Sequence, residues 1–316
     1  KTYIDDQLAK PNSKLNKAAA GVFYNYNLKL STLYEYKDET TGVTEVREAN
    51  LMNQMIDLIT NHLDFDSELF KNIDITAITP LLSTLTSLTG GSSMLSLDIW
   101  EELLTDKHDD TKLNPMITKQ YELVGTNSHW PEKPEEVVIV CDANYEVPDV
   151  TLYSLGLIPE EEMACLMNDA INGTHNWEEQ FPDSKKNWGL SALQSRTYKM
   201  APNYLFYNKV GPNTYTDIHK MPGALETIYS NSNCIDLKIS GVVKLKNKYS
   251  ASGGLISGAI GYTKALRDKV VGDCKNSDVY KAQFDSKDVD IEVHGVNEKQ
   301  LYNILDRHKL RWNYLP

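Results

Sequence analysis

The chain lacks most of the patterns by which a sequence announces its chemistry. No stretch approaches the roughly 18–20 consecutive apolar residues of a membrane-spanning helix. Its four cysteines, Cys141, Cys165, Cys234 and Cys274, form neither a C-x-x-C pair nor a zinc-ligand spacing. The seven histidines are His62, His108, His129, His175, His219, His294 and His308. None makes an H-E-x-x-H pair or adjoins a G-x-S-x-G elbow. Positive charge is also short, with 32 Lys and Arg against 44 Asp and Glu, a net charge of −12 and a pI near 5.1. That deficit argues against a phosphate-backbone partner and against broad adhesion to an anionic membrane, since both depend on clustered cations.

What is present is ordinary for a folded protein. A chain of 316 residues with 41% hydrophobic and 24% charged residues can bury one large core or two ordinary ones. It begins at Lys1 with no initiator Met and no apolar leader, and so reads as a piece of a longer protein. Cys141 ends an apolar run and Cys165 sits within a helical pattern, so both read as small buried residues. Four free thiols are the expectation, a single Cys234–Cys274 bridge the alternative.

Candidate chemistry fails on spacing. Gly253 and Gly258 have the separation of a phosphate loop. Ala259 and Ile260, however, stand where Lys and Ser/Thr must grip phosphate and Mg²⁺. Asp142, Asn144, Glu146 and Asp149 hint at a calcium loop, but Val147 and Tyr153 replace the required Gly and Glu, and a solvated turn is the better reading. Asp106 to Asp110 reads as a polar loop rather than a glycosidase pair. Tyr24, Tyr26, Tyr204, Tyr207, Trp177 and Trp188 have the chemistry of a sugar or peptide groove. Alternating tyrosines more often line one face of a sheet. Arg307 to Tyr314 suits either an approach to a membrane interface or a basic helix end.

Local patterning predicts a mixed chain. Residues 1–20 form a loose lead or a helical start, and alternation from Val22 to Ser31 predicts a strand that Asp38 to Gly42 ends as a turn. Leu51, Met52, Met55, Ile56, Ile59 and Leu63 predict an amphipathic helix over 48–63. Ser83 to Ser93 reads as a loop or hinge, and Ser96 to Leu104 as a short helix capped by Ser96. Glu136 to Cys141 is an apolar strand. Pro159 and Glu160, Glu161 and Glu162 open a helix ending near Gly173. Tyr198 to Lys246 is strand-dominated, and a Gly-rich loop leads into a helix over Tyr262 to Val271. Asp288 to His294 reads as a strand and Glu298 to His308 as a helix.

Two segments roughly a hundred residues apart carry more specific information. The first runs Trp130-Pro131-Glu132-Lys133-Pro134-Glu135-Glu136-Val137-Val138, through Asp142, to Thr151-Leu152-Tyr153 and Gly156-Leu157. The second runs Gly241-Val242-Val243, a Ser/Ala loop at Ser250-Ala251-Ser252, then Ile260-Gly261-Tyr262-Thr263. Together they resemble the large extracytoplasmic domain of FtsX-like/MacB-like ABC transporter permeases of Gram-positive bacteria. The likeness covers roughly 95 to 265 and weakens toward both ends, and Gly125 stands further from Trp130 than the family pattern has it.

The resemblance implies an α+β fold, a MacB-like periplasmic core. A membrane-proximal α/β porter-like unit (1–94 and 267–316) would hold an inserted β-rich sabre-like unit (95–266). It implies a non-catalytic role at the extracellular face of the cell membrane, transmitting ATP-driven movement to export, extract or sense an amphiphilic peptide, lipoprotein or drug. The implied partners are a second or related permease and a cytoplasmic ABC ATPase subunit, which would use the ATP, and transmembrane helices outside this fragment would anchor it. No catalytic, cofactor or metal residue is expected in the domain, and no nucleic acid. The alternatives are a secreted or surface module that binds glycan or peptide, and a hydrolase with a dispersed triad.

Overall fold

The computed structural model describes residues 2–22, 30–37, 42–62, 99–172, 174–184, 188–212, 214–246 and 255–285. They form a mixed eight-stranded sheet with helices, an α+β architecture. Its strands are β1 (Ser31–Lys37), β2 (Thr44–Glu48), β3 (Trp100–Glu102), β4 (Tyr121–Val124), β5 (Glu136–Cys141), β6 (Tyr198–Ala201), β9 (Ile235–Leu245) and β10 (Ile260–Tyr262). β7 (Tyr207–Lys209) and β8 (Tyr215–Asp217) make a separate two-stranded hairpin. The helices are α1 (Thr2–Ala9), α2 (Lys14–Ala18), α3 (Leu51–His62), α4 (Pro115–Gln120), α5 (Asp149–Ser154), α6 (Glu160–Asn172), α7 (Trp177–Gln180), α8 (Leu190–Leu193), α9 (Ala224–Tyr229), α10 (Lys264–Asn276) and α11 (Asp278–Asp285).

The sheet order is β2-β1-β6-β9-β5-β10-β3. β9 is the strand that unites it. Its first residues pair antiparallel with β6, its last with β4, and β5 runs parallel along its other edge. The β5–β9 register slips once, Val137 opposing Ile239 and Val138 opposing Gly241, so Ser240 is the extra residue of a bulge. That bulge is buried and sealed. The Ser240 hydroxyl reaches the carbonyls of His129 (3.1 Å) and Val137 (3.2 Å), and the His129 N–H donates to the Ser240 carbonyl.

Period-two alternation sorts the side chains into three clusters. On one face Tyr34, Tyr36, Tyr198, Met200, Leu237, Ile239, Val137, Ile139 and Ile260 form the largest core. α3, α5, α6 and α10 cover it with Leu51, Met55, Leu58, Leu152, Met163, Met167, Leu266 and Val270. The opposite face carries two smaller clusters. One lies over β1, β2 and β6 (Leu33, Val46, Ala201) and the other over β5 and β9 (Val138, Val140, Val243). α4 closes the latter with Ile117. Its N-cap Asn114 is 1% exposed and fully occupied, accepting from the Met116 N–H and donating to the carbonyls of Ala20 and Thr105.

Several sequence expectations are met. Thr2–Ala9 and Lys14–Ala18 are helical, β5 and α6 lie where patterning put them, and α3 falls inside 48–63. Others are corrected. Ser96 to Leu104 is not a helix in its described part: Trp100–Glu102 is a strand parallel to β10, and Leu103 N donates to Tyr262 O. Ladder hydrogen bonds and burial of Trp100 and Leu103 outweigh the local helix signal. Among the described residues the first sheet strand is Ser31–Lys37, ahead of the expected break at Asp38, and residues 23–29 of the strand expected from Val22 lie outside the described residues. Tyr262 ends β10, and α10 starts after it with Thr263 capping the Leu266 N–H. α3 buries Leu51, Met55 and Leu58 but leaves Met52 and Ile56 exposed.

The expectations for 83–93, 288–308 and 307–314 lie outside the described residues. β1 and β2 fall within 1–94, yet β1 pairs directly with β6 of 95–266, and the 266/267 boundary falls inside α10. Among the described residues no helix is long and apolar enough to cross a membrane.

Candidate functional site

The two segments singled out by sequence meet in space. β5 of the first lies between β9 and β10 of the second, parallel to one and antiparallel to the other. Ahead of β5, Trp130 packs on the Val138–Val243 cluster, and Pro131 is buried. The Glu136 carboxylate folds back to accept the N–H groups of Glu132 (2.9 Å) and Lys133 (3.3 Å), so the Trp-Pro-Glu run ends in a self-capped turn. Val137 and Val138 point to opposite cores. Leu152 and Tyr153 lie under α3 and α6 in the largest core.

The tightest junction is between Thr151 and Gly258. The Thr151 hydroxyl, buried on α5, donates to the Gly258 carbonyl at 3.0 Å. Gly258 has φ +86°, and a Cβ there would stand 2.6 Å from Thr151 Oγ1 and 3.0 Å from Pro148 Cγ. Only glycine fits both the backbone and the space. Gly258, one of the two glycines that suggested a phosphate loop, is therefore a packing contact between the two segments, and Gly253 lies outside the described residues. The motif residues are placed by their fit to one another.

A second polar group sits where α3 and α5 meet β1. Gln54 Nε2 donates to the Tyr34 hydroxyl (3.0 Å) and to the Ser154 carbonyl (3.3 Å), and the Tyr198 hydroxyl donates to Leu155 O. Burial pushes the Tyr34 hydroxyl up to about 12 and raises those of Tyr153 and Tyr198 further. These phenols stay protonated in the core, Tyr153 and Tyr198 donating to the carbonyls of Gln54 and Leu155 and Tyr34 accepting from Gln54. A third group lies on α6. Glu162 accepts from Trp177 Nε1 (3.0 Å) and the Ser184 hydroxyl, while Asp169 accepts from Thr174, Asn176 and the Trp177 N–H (2.8 Å). Both carboxylates tie down the chain that follows the helix, and this occupies the indole of Trp177.

The remaining candidates resolve in the same way. The Asp142 carboxylate accepts the N–H groups of Asn144 and Glu146, both at 2.8 Å, closing the turn that resembled a calcium loop. Asp106 likewise caps the N–H groups of His108 and Asp109. His108, His129 and His175 are exposed, and His219 is half-buried against Glu48. The four cysteines are free thiols; Cys141 and Cys274 are buried, while Cys165 and Cys234 are partly buried. Burial raises all four above the usual thiol range, to about 11 for Cys141, so none is poised as a thiolate nucleophile. Tyr24 and Tyr26 lie outside the described residues, and Tyr204 and Tyr207 are half-buried beside the sheet.

Sequence reasoning missed two ion pairs. Arg267 of α10 donates through Nη1 to both carboxylate oxygens of Glu102 on β3, at 2.7 and 2.8 Å. His219 Nε2 lies 2.9 Å from Glu48 Oε2 at the other end of the sheet. No spacing rule could have found either, since their partners stand 165 and 171 residues apart. Among the described residues, no group of three or more His, Cys, Asp or Glu is arranged to hold a metal ion. No protein-family model, curated protein or solved structure matches the chain.

Proposed function

We propose that the chain is the extracytoplasmic domain of an FtsX-like/MacB-like ABC transporter permease. In this reading it is a non-catalytic transmitter of conformational change. A cytoplasmic ATPase subunit supplies the work, and a second permease copy or a related permease completes the assembly. The cargo is an amphiphilic peptide, lipoprotein or drug-like molecule, exported, extracted or sensed at the outer face of the cell membrane. The finer architecture belongs to the same proposal, a porter-like unit from 1–94 and 267–316 and a sabre-like unit from 95–266.

The observation that carries the reading is the meeting of the two resembling segments. The two stretches that together resemble the family form adjacent strands, β5 against β9 and β10, and lock through Thr151 and Gly258. The form of the sheet supports a mechanical role as well. β9 runs through eleven residues, joins strands on both edges, and has its one bulge fixed by buried hydrogen bonds. A load applied at one end of such a strand is borne by several ladders at once.

The test has two parts. Reading the parent gene across both ends should show apolar runs of about 20 residues on each side. Tyr145, 61% exposed, is then replaced by Cys in the full-length protein and probed in intact cells with a membrane-impermeant maleimide. Labelling before lysis is expected. Labelling only after lysis, or a secreted chain with no flanking apolar runs, would overturn the proposal.

A further inference from the structure

Between β6 and β9 the chain leaves the sheet and returns as a cap. Residues 202–229, comprising a 3₁₀ turn (Asn203–Phe206), the β7–β8 hairpin and α9, fold over the outer face of β1, β2 and β6. The cluster beneath is self-contained. Leu33 and Val46 of the sheet meet Phe206, Ile218, Ala224 and Ile228 of the cap. Tyr204, at the start of the cap, packs on the large core instead, so opening the cap from Leu205 onward would expose one apolar floor and leave the large core covered.

His219 stands between the two parts. Its Nε2 lies 2.9 Å from Glu48 Oε2 on β2, and its ring stacks on Phe206 at 4.6 Å with 20° between the planes. Asp217 Oδ1 accepts the His219 backbone N–H at 2.8 Å and fixes the turn that presents the ring. The Glu48 side chain is 10% exposed and that of His219 34%, so the pair is only partly screened by water. The charged groups that act on the ring are Glu48 from β2, Asp217 from β8 and Lys220 beside it in the chain.

We infer that His219 and Glu48 form a pH-sensitive latch, which holds the cap closed while His219 carries a proton and slackens when that proton leaves. The hydrogen bond to Glu48 raises the proton affinity of the imidazole, opposed by burial and reinforced by the charges of Glu48 and Asp217. A group whose pKa is raised on folding adds stability that is complete below its unfolded pKa and is lost as pH rises through the folded one. The cap therefore opens more readily from neutral pH upward. This inference is independent of the transport reading and holds for the domain in any setting.

Hydrogen exchange resolved by peptide tests it, using 203–229 as the cap and 136–141 as an internal reference, corrected for the intrinsic pH dependence of exchange. Between about pH 6 and pH 8.5 the cap's opening constant should rise about two- to fivefold, the range of a partly exposed ion pair, while the reference stays level. Glu48→Gln should show the high-pH opening throughout. His219→Gln keeps a neutral donor toward Glu48 and should give a flat profile with the cap still folded. An unchanged pH slope in His219→Gln, or cap and reference opening together, would overturn the latch.

Discussion

Strand β5 buries every residue from Val137 to Cys141, whereas β2, at the end of the same sheet, buries only Val46 of its five residues. The contrast runs through the whole sheet. In the middle, β5, β10 and the 239–243 stretch of β9 carry no charged side chain beyond Glu136; β5 and β10 are held by ladders on both edges, and apolar clusters cover all three. At the two ends, each outermost strand has one neighbour among the described residues and is fastened by charge. β3 is clasped by Arg267 through Glu102. β2 is held to α6 by Arg47 and Glu160 (3.2 Å) and to the cap by Glu48 and His219. A strand with one ladder has fewer hydrogen bonds and an edge that must not pair with another chain, and charged anchors answer both needs. The centre thus depends on shape, and the ends depend on pH and salt.

The sharpest way to break this division is at β3. Arg267 and Glu102 have side chains only 10% and 7% exposed, so Arg267→Met strands a buried carboxylate and should cost about 3–5 kcal/mol in urea unfolding. Burial already raises Glu102 above the usual carboxyl range despite Arg267, and without that cation nothing as close opposes it. The loss should therefore be greatest at neutral pH and shrink as pH falls, because protonation removes the stranded charge. Adding Glu102→Leu should recover most of the stability at pH 7. If the single variant's loss is the same at every pH, the clasp acts by packing alone.

The matching test in the centre is Gly258→Ala. It imposes a left-handed backbone costing roughly 1–2 kcal/mol and an overpacked Cβ costing about 1–3 kcal/mol, for a total of about 2–4 kcal/mol. The atoms a Cβ would meet there, Thr151 Oγ1 and Pro148 Cγ and Cδ, are uncharged, so this loss should vary little with pH or salt. A salt-dependent loss would erase the distinction between centre and ends.

The same division explains how much could be read from the sequence. β5 was legible because a strand buried on both faces is a continuous apolar run, and α6 because Pro159 and three glutamates mark its start. β3 was misread because three residues carry too little periodicity to outweigh a helix-like context, and its partner β10 lies far along the chain. In α3, apolar residues occupy more than one stripe, and only contact with the sheet selects Leu51, Met55 and Leu58 over Met52 and Ile56. The two segments stood out only through their resemblance to one family, and their roles as neighbours around β9 were not legible, since strand pairing leaves no local signal. The end clasps left no sequence trace at all.

The smallest effect is expected where the centre reaches solvent. Beyond β5, Tyr145 has φ +69°, a left-handed backbone that a tyrosine rarely adopts, imposed by the Asp142 carboxylate gathering the N–H groups on either side of it. Its ring lies 3.9 Å from Lys244 Nζ, and Lys244 also pairs with Glu122 at 3.2 Å. Tyr145→Asn trades two terms of similar size. It loses a cation–π contact worth about 0.5–1 kcal/mol at an exposed site, and it relieves strain of about 1 kcal/mol, because asparagine tolerates this conformation. The expected change in unfolding free energy is within about 0.5 kcal/mol of zero. Lys244→Met alone should lose about 0.5–1 kcal/mol, since it removes the contact and leaves the strain. Should Tyr145→Asn instead cost as much as Gly258→Ala, the charge at this margin would be holding the centre, and the boundary between shape and charge would have to be redrawn inside β9.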